Sequence, residues 1–329
     1  MSRRVFLQNL TVIAASASIQ VGSALAANPD KIRKIGFLVP GEGYESAWDQ
    51  LIFSLHSLGW SQGRNLQILT RKTYSRTEDT AGLFKELIAA GIELVVTTGA
   101  SAAREALKVQ TSIPIISAGM VDPLAAGLVT SLAQPNVNLT GVSILFDDIA
   151  LKLLELVKVL DPTVTKIATL SNPTSTTASR VPAKLTTAAA EMGISNQVFQ
   201  ARDLPAISAV FDQMIANEQK CLLVLQSPYF VSVCKEIAQL AIEHKIMCVG
   251  QVETCVQGGF IASYGVNYTK IFAQSANYVD KILKGKAVNQ LPIEQAGEMA
   301  IALNRSTFKA LDLDIPPNLE AIAGKLIEG

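Results

Sequence analysis

The sequence predicts an α/β fold: two similar, doubly wound parallel-sheet lobes joined by a multi-stranded hinge. Three observations lead there. Short runs such as Leu94-Val95-Val96 and Ile113-Pro114-Ile115-Ile116 are apolar without alternation, as strands covered by helices on both faces must be. Each run ends in small polar residues, Thr97-Thr98-Gly99 or Ser117-Ala118-Gly119, and then restarts as a helix. The strand-helix rhythm of residues 34–141 also begins again after Asp161-Pro162, although the sequence itself does not repeat.

Taken in order, residues 1–27 read as a cleaved export signal. Arg3-Arg4-Val5-Phe6-Leu7 precedes an Ala/Ser-rich apolar stretch, Leu10–Ala27, and Ala24-Leu25-Ala26 supplies the small residues of a cleavage site. The arginine pair followed by Phe-Leu points to twin-arginine export. Thr11, Ser16, Ser18, Gln20 and Ser23 argue against a membrane span, which needs about 20 mostly apolar residues. No cysteine sits near the cleavage site, so no lipid anchor is expected.

Lys34–Val39 is the first expected strand, with Pro40–Tyr44 as the loop at its end. Trp48, Leu51, Ile52, Leu55 and Leu58 recur at helical spacing until Gly59. Leu66–Thr73 is the second strand, and Thr77-Glu78-Asp79 opens a helix that Gly91 stops. Further helices are expected at Ser101 and at Asp122-Pro123, where Asp caps free N–H groups and Pro suits the first helical position.

Thr140-Gly141-Val142-Ser143 reads as a first crossing between lobes. Leu151, Leu154, Leu156, Val157 and Leu160 then mark an amphipathic helix. Strands follow at Lys166–Leu170, Ser195–Gln200, Cys221–Leu225 and Ile246–Gly250, with helices near Pro182–Met192, Leu204–Glu218 and Tyr229–His244. Gly258-Gly259 and Ser263-Tyr264-Gly265 suggest a second crossing, and Tyr268–Leu283 a returning helix. Leu291-Pro292-Ile293 is a third crossing, Glu298–Leu303 an edge strand, and helices are expected at Arg305–Leu311 and after Pro316-Pro317.

Several stretches carry a resemblance: TTGASAA (97–103), IPIISAGMVDPLAAGLVTSLAQP (113–135), NLTGVS (138–143), Asn172-Pro173, GGFIASYG (258–265), YVDKILKGKAVNQLPIEQ (278–295), ALN (302–304) and LDLDIPP (311–317). In order and spacing they resemble the ABC-transporter substrate-binding proteins related to tryptophan- and tyrosine-transport binding proteins. The resemblance implies a bilobed binder of type I periplasmic-binding-protein architecture with three crossings. The first lobe would be 31–141 plus 267–291, the second 142–266 plus 292–329, and the ligand cleft would lie between them. It further implies a periplasmic protein that delivers a small organic solute to an ABC permease in the inner membrane, an aromatic or branched amino acid being favoured. Solute identity varies among relatives and does not carry over. The chain departs from the usual pattern at Pro135-Asn136-Val137, at Glu243-His244-Lys245-Ile246 and in the hydroxyls of Thr174–Thr177.

In parallel α/β sheets ligands bind beyond the carboxyl ends of the strands. In the first lobe that edge carries Glu42, Gly43, Tyr44, Thr98, Gly99, Ala100, Ser101, Gly119 and Asp122. In the second it carries Asn172, Thr174, Ser175, Ser227, Tyr229, Glu253 and Tyr264. Hydroxyls and N–H groups at helix starts, Thr98–Ser101 and Asn172–Ser175, suit a carboxylate. An ammonium needs an acidic partner, for which Glu42, Asp122 and Glu253 compete, and Tyr44, Tyr229 and Tyr264 offer aromatic walls. Gly41-x-Gly43 lacks the third glycine of a dinucleotide fingerprint and reads equally as a plain turn, as Thr174–Ser179 reads equally as a surface loop.

Lys and Arg total 28 against 28 Asp and Glu, with no basic stripe, which argues against a nucleic-acid partner. A hydrolase needs a nucleophile with a base in reach; only His56 and His244 exist, neither at a strand end, and G-x-S-x-G is absent. No enzyme activity and no cofactor are expected. A ligand-binding sensor subunit for a membrane receptor, or an α/β enzyme acting on a small carboxylate, stand as the alternatives. Cys221, Cys234, Cys248 and Cys255 lack metal-type spacing. Buried free thiols are the expected state; export would permit a disulfide, with Cys248–Cys255 the closest pair in sequence.

Overall fold

The computed structural model describes residues 32–39, 44–74, 76–109, 111–144, 146–175, 178, 180–297 and 299–328. The expected export signal, Glu42 and Gly43 lie outside the described residues. Among the described residues no helix is long and apolar enough to cross a membrane.

The first sheet starts with β1 (Arg33–Val39), α1 (Glu45–Ser57), β2 (Leu66–Lys72), α2 (Thr80–Ala89), β3 (Leu94–Thr98), α3 (Ala100–Leu107), β4 (Ile115–Val121) and β5 (Leu139–Ile144). All seven residues of β4 and all five of β3 are buried, because helices cover both faces. The expected helix at Asp122-Pro123 does not form. Asp122 does cap: its Oδ1 accepts from Ala125 N–H at 3.1 Å. The turn is then closed after one round, since Gly127 at φ +66° donates to Leu124 O and Leu128 N–H to Pro123 O. That is the paired bonding of a Schellman stop, and glycine adopts its left-handed position without a Cβ penalty.

The second sheet's elements are α4 (Phe146–Leu160), β6 (Lys166–Ser171), α5 (Arg180–Glu191), β7 (Ser195–Gln200), α6 (Leu204–Ala216), β8 (Cys221–Val224), α7 (Pro228–Ser232), α8 (Cys234–Glu243), β9 (Met247–Gly250), α9 (Glu253–Gln257) and β10 (Ala262–Val266). The helix expected at Tyr229–His244 is thus two, broken at Val233, whose backbone leaves the helical region at φ −117°, ψ 22°. The short α9 has no counterpart in the sequence reading.

The chain returns through α10 (Tyr268–Leu283), which packs on the first sheet's α1. The Trp48 ring joins them, its centroid 4.6 Å from Phe37 and 4.9 Å from Phe272, while Trp60 Nε1 donates to Asp280 Oδ1 at 2.9 Å. The remaining elements are β11 (Glu294–Gln295), β12 (Met299–Asn304), α11 (Arg305–Ala310), α12 (Pro317–Ile322) and β13 (Lys325–Ile327). β12 pairs antiparallel with β10, and it is not an edge, because β13 pairs along its other side.

Strand order is β11-β5-β4-β3-β1-β2 in one sheet and β13-β12-β10-β9-β8-β6-β7 in the other. Each therefore contains the doubly wound 2-1-3-4-5 arrangement. The chain passes between sheets after Ile144, after Val266 and after Gln295. Sheet membership changes slightly later than residues 141 and 291, since β5 runs to Ile144 and β11 pairs with it.

Two of these passages are built on close backbone approach. A Cβ on Gly141, which sits at φ +139°, would lie 2.1 Å from Ser117 O; one on Gly265 would lie 1.9 Å from Gln251 O. Neither carbonyl belongs to a flexible side chain that could move aside. Gly141→Ala and Gly265→Ala are each expected to destabilise the protein by about 3 kcal/mol or more, read from urea midpoints, whereas Gly63→Ala, with open space around its Cβ position, should cost less.

Candidate functional site

Because β1 to β5 run parallel in one sheet and β6 to β10 in the other, their carboxyl ends share an edge in each, and the two edges meet in a cleft. A cavity of about 50 Å³ opens there. From the first sheet it is lined by Leu38 of β1, Thr73 after β2, Thr80 at the start of α2, Thr97 to Ala102 across the β3–α3 joint, and Val121 of β4. From the second it is lined by Asn172, Thr174 and Ser175 after β6, and by Gln226, Ser227, Pro228 and Tyr229 after β8. These positions bracket the points between β1 and β3, and between β6 and β8, where the winding of each sheet reverses.

No charged side chain lines this cavity among the described residues. Its polarity comes from hydroxyls, two amides and the N-terminus of α3. Asn172 organises one wall: its Oδ1 accepts from Thr174 N–H at 2.9 Å and Thr174 Oγ1 at 2.8 Å, and its Nδ2 donates to Ser227 Oγ at 3.5 Å. Ser227 caps α7, accepting from Phe230 N–H at 3.1 Å, and Pro228 takes the first helical position.

On the opposite wall, Thr98 Oγ1 donates to Ala118 O at 2.6 Å. Its neighbours fare differently. The hydroxyls of Thr97 and Thr80, residues 1% and 0% exposed, have no hydrogen-bond partner among the described residues. A buried hydroxyl left unpaired costs about 1–3 kcal/mol, and both of these line the same cavity.

The walls touch across the cleft at several points. Ser101 Oγ donates to Thr174 O at 3.4 Å, and Gln226 Nε2 donates to the Tyr44 hydroxyl at 3.2 Å. A Cβ on Gly99 would lie 3.9 Å from Pro228 Cγ. Arg180 Nη2, at the start of α5, donates to Asp122 Oδ2 at 3.1 Å, an ion pair about one-third exposed and so worth about 0–1 kcal/mol. Burial pushes the Tyr44 phenol well above its usual range, with neighbouring Tyr268 adding to the effect and the Gln226 contact opposing it. Tyr44 therefore stays a neutral hydroxyl.

Of the residues singled out in the sequence, Thr98, Gly99, Ala100, Ser101, Asn172, Thr174, Ser175, Ser227 and Tyr229 come together at the cavity. Tyr44 borders it through Gln226, its ring edge-on to Tyr268 at 5.3 Å. Asp122 lies at the rim beside Val121, held by Arg180. Gly119 lies behind the cleft, where a Cβ would meet Tyr268 at 3.0 Å, and Tyr264 is packed into β10. Glu253 does not join the site: α9 turns it to a separate depression, where Lys325 Nζ pairs with its Oε1 at 2.5 Å. Thr73, Thr80, Thr97 and Gln226 were not singled out. Thr97 and Gln226 belong to strand-end stretches visible in the sequence, while Thr80 is identified only by the fold, which brings the start of α2 to this edge.

The chain was compared with known proteins. A family model described as ABC transporter substrate binding protein matches residues 34–327. The chain belongs to that family. A tyrosine-binding protein from Clostridioides difficile (strain R20291) is 28% identical over 297 residues, covering 86% of this chain and 82% of the relative. Among solved structures, a conserved domain protein from Vibrio cholerae superposes with a TM-score of 0.83 at 24% identity, over 90% of this chain and 100% of that one. An ABC domain in complex with L-Trp from Streptococcus pneumonia gives 0.81 at 22% identity, over 90% and 99%. These likenesses establish the α/β fold of two parallel-sheet lobes, and the family establishes substrate binding outside the cytoplasm as the protein's work.

The binding protein's two adjacent threonines provide a direct test of this wall. Thr97→Val should leave the stability of the ligand-free protein unchanged or raise it by about 1 kcal/mol, because an unpaired hydroxyl is removed. Thr98→Val should lower stability by about 1 kcal/mol, because the bond to Ala118 O is lost. Urea midpoints of the two variants read the difference.

Proposed function

We propose that the substrate-binding protein holds an aromatic amino acid in this cleft and delivers it to an ABC permease of the inner membrane. The observation that carries the reading is the convergence of the unpaired Thr80 and Thr97 hydroxyls with the start of α3 on one uncharged cavity. Hydroxyls and free N–H groups at a helix start are the donors a carboxylate needs, and the helix dipole favours an anion there. The α-carboxylate then sits against Thr80, Thr97 and the Thr98–Ser101 joint, faced by Asn172, Thr174, Ser175 and Ser227. The ammonium goes to a carboxylate, Asp122 at the rim or Glu42, and Tyr44 and Tyr229 border the side chain. The tyrosine-binding relative and the L-Trp complex support an aromatic ligand.

A 50 Å³ cavity has room for only a few waters, so the solute is admitted by separation of the lobes. Contacts between Ser101 and Thr174, Gln226 and Tyr44, and Arg180 and Asp122 then part and re-form around it. The lobes follow the two sheets, with the hinge at the three passages after Ile144, Val266 and Gln295. Closure is favoured by the solute's greater affinity for the closed state. Residues 1–27 serve as the export signal, which places the mature protein in the periplasm.

Calorimetry tests the reading. L-tyrosine or L-tryptophan should bind, and tyramine, which lacks the carboxylate, should not. Thr97→Val should weaken binding about 10-fold or more, the loss of a charge-assisted bond, while Glu253→Gln leaves it unchanged. Failure of every aromatic and branched amino acid to bind overturns the assignment.

A further inference from the structure

Gln251 directly follows β9, at the carboxyl-end edge of the second sheet, and is 4% exposed. Its Oε1 accepts from Gln226 N–H at 2.8 Å, and that bond fixes which way the planar amide faces. Its Nε2 has no hydrogen-bond partner among the described residues. A planar amide holds its oxygen and nitrogen about 2.2 Å apart, which places Nε2 within about 5 Å of the Gln226 nitrogen. Gln226 lines the cleft cavity, and its own Nε2 crosses the cleft to the Tyr44 hydroxyl at 3.2 Å. The Tyr44 ring stands edge-on to Tyr268 there, with centroids 5.3 Å apart. Thr80 lies at the other end of the cleft, because it opens the helix after β2, the strand farthest from β5 and β11 in its sheet. Gln251 follows the strand next to β10, which leads into the second passage between sheets. The unpaired hydroxyls and the unpaired amide donor thus belong to opposite ends of one cleft.

We propose that Gln251 is the specificity-determining residue at the ring end of the solute, its Nε2 donating to a hydrogen-bond acceptor that the ring carries. The phenol oxygen of tyrosine is such an acceptor. This role rests on the cleft being an aromatic amino-acid site, as proposed above, and decides which ring that site takes. With the carboxylate at Thr80 and Thr97, the side chain extends along the cleft toward Tyr44 and Gln251. A ring bearing an acceptor pairs the amide donor. A ring without one shuts water out and leaves the donor unpaired, which is how a buried polar group rejects an analogue of nearly the same shape. Phenylalanine has no acceptor, and the indole of tryptophan offers only a donor. Both are therefore disfavoured against tyrosine. Gln226, whose amide already meets Tyr44, holds the Gln251 amide in place through its N–H.

The test is calorimetry on the full chain with L-tyrosine, L-phenylalanine and L-4-methylphenylalanine, the last having tyrosine's shape without its oxygen. The wild type should bind tyrosine about 10-fold or more tighter than the other two. Gln251→Met should lower the affinity for tyrosine to that for phenylalanine and leave phenylalanine binding unchanged. A purely structural role, exerted through the bond to Gln226 N–H, would instead weaken both amino acids together. That result overturns the proposal, as does equal binding of tyrosine and 4-methylphenylalanine by the wild type, a comparison that stands even if the variant fails to fold. Equal binding of the three leaves the aromatic amino-acid site intact and removes only the role of Gln251. Binding of no aromatic amino acid removes both.

Discussion

Parallel strand pairing is the constraint on which the rest of this protein depends. When β1, β3 and β4 run the same way, every strand delivers its last residue to one edge, and every following helix begins there. The same holds for β6, β8 and β9. Reversal of the winding between β1 and β3, and between β6 and β8, spreads those helix starts apart and leaves a crevice at the middle of each edge. Thr97, Asn172 and Gln226 are far apart in sequence and meet because each is the residue that ends, or follows, a strand beside such a crevice.

The edges can face one another only because the chain passes between sheets through a narrow strap. Just before two of those passages, backbone packs on backbone within each sheet. Gly141 against Ser117 O and Gly265 against Gln251 O leave no room for a side chain, and the two contacts occupy corresponding strands of the two sheets. Across the cleft, the described residues are joined by side-chain contacts such as Arg180 with Asp122 and Gln226 with Tyr44.

Neighbouring threonines show how such a site is kept at a cost. Successive residues of a strand point to opposite faces. Thr98 finds Ala118 O and is satisfied; Thr97 has no partner among the described residues. Apolar valine would suit the Thr97 position better in a protein selected for stability alone. Two such hydroxyls line one cavity, where the proposed carboxylate would supply their acceptor.

Much of the fold was legible in the sequence because its signals are local. Uninterrupted apolar runs gave the buried strands, and the helical spacing of Trp48, Leu51 and Leu55 gave α1. Asp122 and Pro123 gave a correct cap but not its length, since Gly127 closed the turn after one round. Similarly, Val233 divided an apparently continuous helix. At the cleft, position after a strand identified Thr98 to Ser101 and Asn172 to Ser175. Charge alone misplaced Glu253, because α9 and the Lys325 pairing are not written in its neighbours. By itself, then, the sequence determined the α/β alternation, the family and most of the strand-end residues, all of which follow from patterns a few residues long. Tertiary structure alone decided that Thr80 joins Thr97 and that Tyr44 reaches Gln226. Those pairings depend on where separate helices and strands come to rest against each other, and spacing along the chain carries no record of that.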